Sequence, residues 1–300
     1  NNTEQSDKDG LQSSNISCRS SKEFKMDQLS QIISTFTIKA GVFYTGQLCG
    51  ISAFENQSVI EGHIHILKAG SLTVKQQGAS DIVLTEPGVV FFPRPKSHRI
   101  SANESDSAEV ICATVRYSIG NENPIAQALP DVLILPFSKM PQLSDSLRWM
   151  INESLMEEQG KHAIMDRLME VLIISLLRFL INENQLSTGL LAALAHPQLS
   201  KVVLKVHAQP EKAWTVDDMA QVSLMSRSKF SPLFKEVLGR TPLDYLTRWR
   251  VNVAQQMLLT GKPVNIVANE VGYETTSALS RAFQKTCQLS PKAWLSSITL

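Results

Sequence analysis

One pattern occurs twice near the C-terminus of this chain. Residues 229–246, KFSPLFKEVLGRTPLDYL, line up with residues 278–295, ALSRAFQKTCQLSPKAWL, at a constant offset of 49. The offset pairs Phe230 with Leu279, Phe234 with Phe283, Pro242 with Pro291, Tyr245 with Trp294 and Leu246 with Leu295. Self-similarity at a fixed period signals one supersecondary unit built twice. The C-terminal third is therefore expected to be all-helical, with two related units.

Each copy reads as helix, tight turn, helix. In the first, Thr215 with Asp218 three residues on forms a capping box that opens a short helix through Val222. Ser226 then caps a second helix whose inward stripe is Phe230, Leu233, Phe234 and Val237. In the second, a short helix runs from Val264 to Val271, Gly272 ends it, and Thr275 starts the next. Gly272 stands where a left-handed backbone is wanted, which glycine adopts without cost. Thr241-Pro242 and Ser290-Pro291 are each an N-cap followed by proline at the first helical position.

Charge divides the chain at the same place. The net charge of +1 over 300 residues splits into −5 for residues 1–195 and +6 for residues 196–300. A basic third attached to an acidic remainder suggests a polyanionic partner. The second helix of each unit presents small, polar or basic residues outward: Arg227, Ser228, Lys229 and Ser231 in one, Thr276, Ser277, Ser280 and Arg281 in the other. Such groups reach base edges and phosphates in a major groove. The helix expected from Pro242 to Leu259 is a strut of roughly 27 Å at 1.5 Å per residue. A strut of that length can hold two reading helices about one DNA turn, ~34 Å, apart.

These features resemble the AraC/XylS family of bacterial transcription regulators. The resemblance rests on W214-TVDDMAQVS-x2-SRSKF-x3-F-x4-G-x-TPLDYLTRWR and on IVANEVGYETTSALSRAFQK-x4-SPKAW. It maps groove-facing positions onto Ser228, Ser231 and Pro232, and onto Thr276, Ser277, Ser280 and Arg281. It implies promoter DNA, a small-molecule effector and RNA polymerase as partners, and regulation of transcription in the cytoplasm, as an activator or a repressor. Two positions depart from the family pattern. Leu224 stands where a turn glycine is frequent, at a cost of about 1–2 kcal/mol if the left-handed backbone is kept. Pro232 removes a hydrogen bond inside the first reading helix and can kink it, at a cost of about 3 kcal/mol.

The N-terminal half has a different texture. Residues 1–25 are polar, read as a disordered tail, and carry no signal-peptide pattern. The runs VFYTGQL, SVIEGHIHIL, SLTVKQ, DIVL, GVVFFP and EVICATVRYS are rich in Val, Ile and Phe and separated by turn residues, as in an antiparallel sandwich or barrel. GHIHILKAGSLTV and PGVVFFPRPKSHRIS are similar to the cupin-type barrels of such regulators. Asn121 to Pro141 reads as a connector. Leu143, Leu147, Met150, Ile151 and Leu155 then share one helical face. A helix over Ala163–Asn182 is apolar nearly all round and must be buried on every face, between domains or against a second copy. A homodimer through Gln142–Asn182, broken by charge at Leu172 and Leu176, is the expectation. The longest apolar run, Val171 to Ile181, is too short to span a bilayer.

His63 and His65 point to one face of a strand, and His98 lies where metal-binding cupins carry another ligand. The acidic ligand of those cupins is missing, with Lys68 and Ala69 in its place. The three histidines are therefore candidates for an effector pocket, with metal binding and simple core packing as alternatives, and no cofactor is assigned. Cys49 and Cys112 are both expected in strands, as a thiol switch or as small buried residues. The expected fold is α+β and multidomain. A tail (1–25), a cupin-like β-barrel sensor (26–141), a helical dimerisation segment (142–185) and a double helix-turn-helix domain (196–300) follow in order. The competing reading is a metal-dependent cupin enzyme with an accessory helical domain. The missing carboxylate and the absence of a nucleophile–base constellation weigh against it.

Overall fold

The computed structural model describes residues 27–54, 61–118, 123–183 and 188–298; the expected tail lies outside them. Helix α1 (Gln28–Thr35) opens the described chain, its first turn capped by Asp27, whose carboxylate accepts from the Ser30 N–H at 2.9 Å. Among the described residues nine strands follow: β1 (Ile38–Gln47), β2 (Gly50–Phe54), β3 (Glu61–Ala69), β4 (Leu72–Gln76), β5 (Ile82–Leu84), β6 (Gly88–Phe92), β7 (His98–Ala102), β8 (Glu109–Tyr117) and β9 (Leu133–Pro136). They form two antiparallel sheets, in the orders β1-β8-β3-β6-β9 and β2-β7-β4-β5, with no strand pairing between the two among the described residues, so the strands make a two-sheet sandwich of cupin type where a barrel was expected. A core of Leu67, Leu72, Val74, Phe92, Ile100 and Cys112, with its neighbours, fills the smaller sheet's inner side.

The stretch expected to be a plain connector is more ordered than its prolines suggest. It contains α2 (Pro124–Ala128), capped by Asn123, and β9, which pairs with β6. Proline at the helix start and at the end of an edge strand is tolerated because neither position needs its N–H.

Helices α3 (Ser144–Leu155) and α4 (Lys161–Asn182) pack on each other, and α4 lies along β1. There Asp166 and Glu170 of α4 accept the outward N–H groups of Val42 (2.7 Å) and Ala40 (3.4 Å). This protects an edge strand that would otherwise be open to pairing. Burial on every side of α4 does not hold. Leu172 and Leu176 are fully buried inside the protomer, so they are not available to a second copy. The apolar residues facing outward on this helix are Ile164 and Val171, flanked by Arg167 and Arg178. Leu155, expected on the inward stripe of α3, is 73% exposed.

The rest is helical: α5 (Leu190–Ala195), α6 (Leu199–Ala208), α7 (Val216–Val222), α8 (Arg227–Leu238), α9 (Pro242–Leu259), α10 (Val264–Glu270), α11 (Thr276–Cys287) and α12 (Pro291–Ile298). Among the described residues no helix is long and apolar enough to cross a membrane. One continuous core joins α1, the larger sheet and α4 to Trp214, Met219, Phe230, Phe234 and Trp249 of the first repeat. The second repeat has its own core of Val267, Leu279, Phe283 and Trp294, closed by Val251, Ala254 and Leu258 of α9.

Candidate nucleic-acid interface and histidine pocket

Helices α7 and α8 form the first helix-turn-helix unit, α10 and α11 the second, with α9 between them. Thr215 and Asp218 make the expected reciprocal capping box on α7. The turns that follow have one hydrogen-bond pattern, Met225 N–H to Ala220 O at 3.0 Å and Tyr273 N–H to Ala268 O at 2.8 Å. Leu224 (φ 57°) and Gly272 (φ 84°) both occupy the left-handed region these turns require. The short helices are offset by 48 and the reading helices by 49, so the second turn is one residue longer.

The proposed DNA-facing side chains do lie outward. Arg227, Ser228 and Lys229 are exposed and Ser231 is half-buried on α8; Thr276, Ser277 and Arg281 are exposed and Ser280 half-buried on α11. Helix α8 runs through the exposed Pro232 without interruption. Arg227 is already paired with Asp217 at 2.9 Å, so DNA must compete with a carboxylate for it. Arg281 has no ion-pair partner among the described residues and is the freer cation.

Sequence reading missed Arg250, which fixes the two units to each other. From α9 its Nε donates to the Pro210 carbonyl at 2.7 Å and an Nη to that of Lys212 at 2.8 Å, while its guanidinium lies 5.3 Å from the Tyr273 ring centre. A cation over a ring and two carbonyl bonds across units make α9 a fixed spacer. Only its position on the strut, one turn after Leu246, offered a hint.

The three histidines come together in the sensor. His65 Nε2 and His98 Nε2 are 2.7 Å apart, and the His63 and His98 ring centres 5.4 Å. His98 lies between the rings of Phe54 and Phe92, and its Nδ1 donates to the Lys96 carbonyl at 2.7 Å. His65 Nδ1 faces Cys112 Sγ at 3.2 Å. Burial lowers all three histidine pKa values, that of His98 to about 4, and the charge of neighbouring histidines lowers His65 further. At neutral pH the cluster is uncharged, and the buried Nδ1 of His63 has no partner among the described residues. His65 and His98 bond to each other, and the His63 ring lies against both. Among the described residues no group of three or more His, Cys, Asp or Glu is placed to hold an ion.

Of the two cysteines expected in strands, only Cys112 is in one. Cys49 is exposed in the β1–β2 turn, while Cys112 is buried on β8 opposite His65, with its thiol pushed up to about 12 by desolvation. A thiol held protonated is a poor nucleophile.

Comparison with known proteins bears on both halves. A family described as "Cupin" matches residues 27–182, and one described as "Helix-turn-helix domain" matches residues 219–297. The chain is 32% identical over 245 residues to the HTH-type transcriptional regulator AlkR of Acinetobacter baylyi, covering 79% of this chain and 80% of that protein. The chain belongs to the AraC family of transcriptional regulators. It is also 28% identical over 232 residues to the RCS-specific HTH-type transcriptional activator RclR of Escherichia coli, covering 76% and 81% of the two chains. A solved structure of ToxT from Vibrio cholerae aligns over 87% of this chain and 97% of its own, with 10% identity and a TM-score of 0.40. As an AraC-family regulator the protein couples a cupin-type ligand-sensing domain to a DNA-binding double helix-turn-helix.

Proposed function

We propose that this regulator is a cytoplasmic, homodimeric transcriptional activator, and not an enzyme, whose sensor responds to a small molecule in the histidine pocket. The exposed polar and basic faces of α8 and α11, spaced by α9, are the observation that carries this reading. Arg227 and Lys229 take phosphates, Ser228 and Ser231 add short contacts in the first groove, and Thr276, Ser277, Ser280 and Arg281 read bases in the second. His63, whose Nδ1 has no partner among the described residues, offers an effector a polar contact beside the neutral His65–His98 pair and the Phe54 ring. The sensor spans residues 26–141, the dimerisation segment 142–185 and the DNA-binding domain 196–300. Bound at a promoter, the protein recruits RNA polymerase.

The dimer contact is the outward strip of α3 and α4, with Trp149 at 59% and Val171 at 44% exposure. Val171→Glu is expected to give monomers by sedimentation without loss of fold; a wild-type monomer at every concentration overturns the dimer. Duplex from the adjoining promoter is expected to bind with affinity that falls steeply as salt rises. Salt-independent binding, or none, overturns the DNA reading. Reporter output that His98→Phe leaves inducible overturns the effector pocket.

A further inference from the structure

Strands β6 and β7 are joined by Pro93-Arg94-Pro95-Lys96-Ser97. Each proline fixes its own φ and restricts the residue before it, so the loop has little freedom on either side of Arg94. One end of the loop belongs to the histidine pocket. His98 Nδ1 donates to the Lys96 carbonyl at 2.7 Å, and the His98 ring lies between those of Phe54 and Phe92. From the same loop the Arg94 side chain reaches the end of α2. One Nη donates to the carbonyls of Ala126 and, at 2.9 Å, Leu129; the other meets the Asp131 carboxylate at 2.6 Å.

Helix α2 has five residues, too few to be stable alone, so its last turn stays where its carbonyls are held. Ala128, in that turn, is pressed against Gly189. A Cβ on Gly189 would stand 3.1 Å from the Ala128 Cα and 3.2 Å from its Cβ, at a φ of 90°. Gly189 in turn donates its N–H to the Val237 carbonyl at 2.7 Å, in the last turn of α8. That carbonyl is one of the four at a helix C-terminus with no partner inside the helix. Close-packed groups pass a displacement on, because there is no void between them to absorb it.

We propose that Arg94 is a positioning residue that couples the histidine pocket to the first reading helix, through α2 and the Gly189–Val237 bond. The proposal rests on the histidine pocket as the place where a signal enters. Movement of the loop beside His98 carries the guanidinium, the guanidinium carries the end of α2, and Ala128 shifts Gly189 against the end of α8. This tie is separate from the one Phe36 makes with Trp249. The second unit has its own core and stays in place, so a signal changes how α8 is set relative to α11.

The test is a double-mutant cycle on the full-length protein without effector, read by amide hydrogen exchange. His98→Phe keeps a ring between Phe54 and Phe92 and removes the bonds to Lys96 and His65. It is expected to speed exchange at Gly189 and in the last turn of α8 roughly tenfold, as the loss of one net hydrogen bond does, with α10 to α12 unchanged. In the Arg94→Gln background the same substitution should change those amides by less than about twofold. An arginine that only holds the fold together would leave the His98→Phe effect to add in full. Ala128→Gly opens the contact with Gly189 without touching the guanidinium, and should remove the response in the same way. It decides the matter if Arg94→Gln does not fold or leaves Gly189 unprotected. The proposal is overturned by a response of α8 to His98→Phe under about threefold, by an equal response in α10 to α12, or by a response above about twofold in the deciding variant. No effector is used, so these outcomes are independent of whether the reporter stays inducible in His98→Phe, which tests the pocket itself.

Discussion

The two helix-turn-helix units share one sequence pattern and bury it against different things. Phe230 and Phe234 of the first unit sit in a core continuous with α1, the larger sheet and α4. Leu279 and Phe283, their counterparts in the second, pack only within that unit and on the far half of α9. An apolar stripe at helical spacing determines which face turns inward, and leaves open what comes to cover it. The first copy is thereby an extension of the sensor, and the second a reader carried at the end of a strut. The strut belongs to both, since Leu246 and Trp249 enter one core and Val251, Ala254 and Leu258 the other.

Cutting the sensor's hold on the first unit should separate the copies most sharply. Phe36 is fully buried with its edge on Trp249, and Phe→Ala in a core costs about 3–5 kcal/mol. Phe36→Ala is expected to lower hydrogen-exchange protection in α7, α8 and the sensor together while α10 to α12 keep theirs. Phe283→Ala, at similar cost, should do the reverse. If each loosens both units alike, the two cores behave as one and the contrast is wrong.

Next in size is the contact where the second unit leans on the first. A Cβ on Gly272 would lie 2.6 Å from the Glu211 carbonyl oxygen and 2.6 Å from an Arg250 nitrogen, at a φ of 84°. Backbone cannot move aside cheaply, so Gly272→Ala should cost about 2–4 kcal/mol, more than strain at a left-handed residue alone. Calorimetry measures it. A loss under about 1 kcal/mol would mean the turn is free of the first unit.

The duplication was legible because it repeats side chains that must be buried or must cap: Phe230, Phe234, Thr241, Pro242. The histidine cluster was legible as well, since strand alternation alone puts His63 and His65 on one face. What escaped depends on partners remote in sequence. No local pattern says that Asp166 and Glu170 will cap the edge of β1, or that Arg250 will reach the carbonyls of Pro210 and Lys212. Periodicity also misjudged α4. A helix rich in apolar residues was expected to be covered everywhere, yet Ile164 and Val171 face outward while Leu172 and Leu176 are sealed inside. Leucine count measures how much must be buried, and the arc left open depends on the neighbours.

At the DNA surface the comparison becomes one of specificity. Arg281 lacks an ion-pair partner among the described residues and can fork onto guanine, worth about 1–3 kcal/mol of discrimination. Lys229, in the opening turn of α8, is placed for phosphate. Arg281→Ala should flatten the preference for operator over random duplex, and Lys229→Ala should weaken both together with a shallower salt slope. Equal losses on the two duplexes for Arg281→Ala would make it a phosphate contact and erase this distinction between the units.

The smallest effects lie in the left-handed positions, where the copies have exchanged solutions. The first unit places leucine in its turn (Leu224, φ 57°) and glycine after its reading helix (Gly239, φ 73°). The second places glycine in its turn and glutamine after its reading helix (Gln288, φ 58°). Leu224 is 77% exposed, so its side chain contributes little packing against the strain of its backbone. A side chain in this region costs about 1–2 kcal/mol, while glycine gives back about 0.5–1 kcal/mol through the freedom of the unfolded chain. Leu224→Gly and Gln288→Gly should each therefore stabilise by up to about 1 kcal/mol. Gly239→Ala meets nothing within 4 Å and should cost about 1 kcal/mol from backbone strain alone. Urea unfolding of the full chain reads all three. If Leu224→Gly destabilises, the exposed leucine has a contact that its exposure does not suggest, and the first turn is not merely a strained copy of the second.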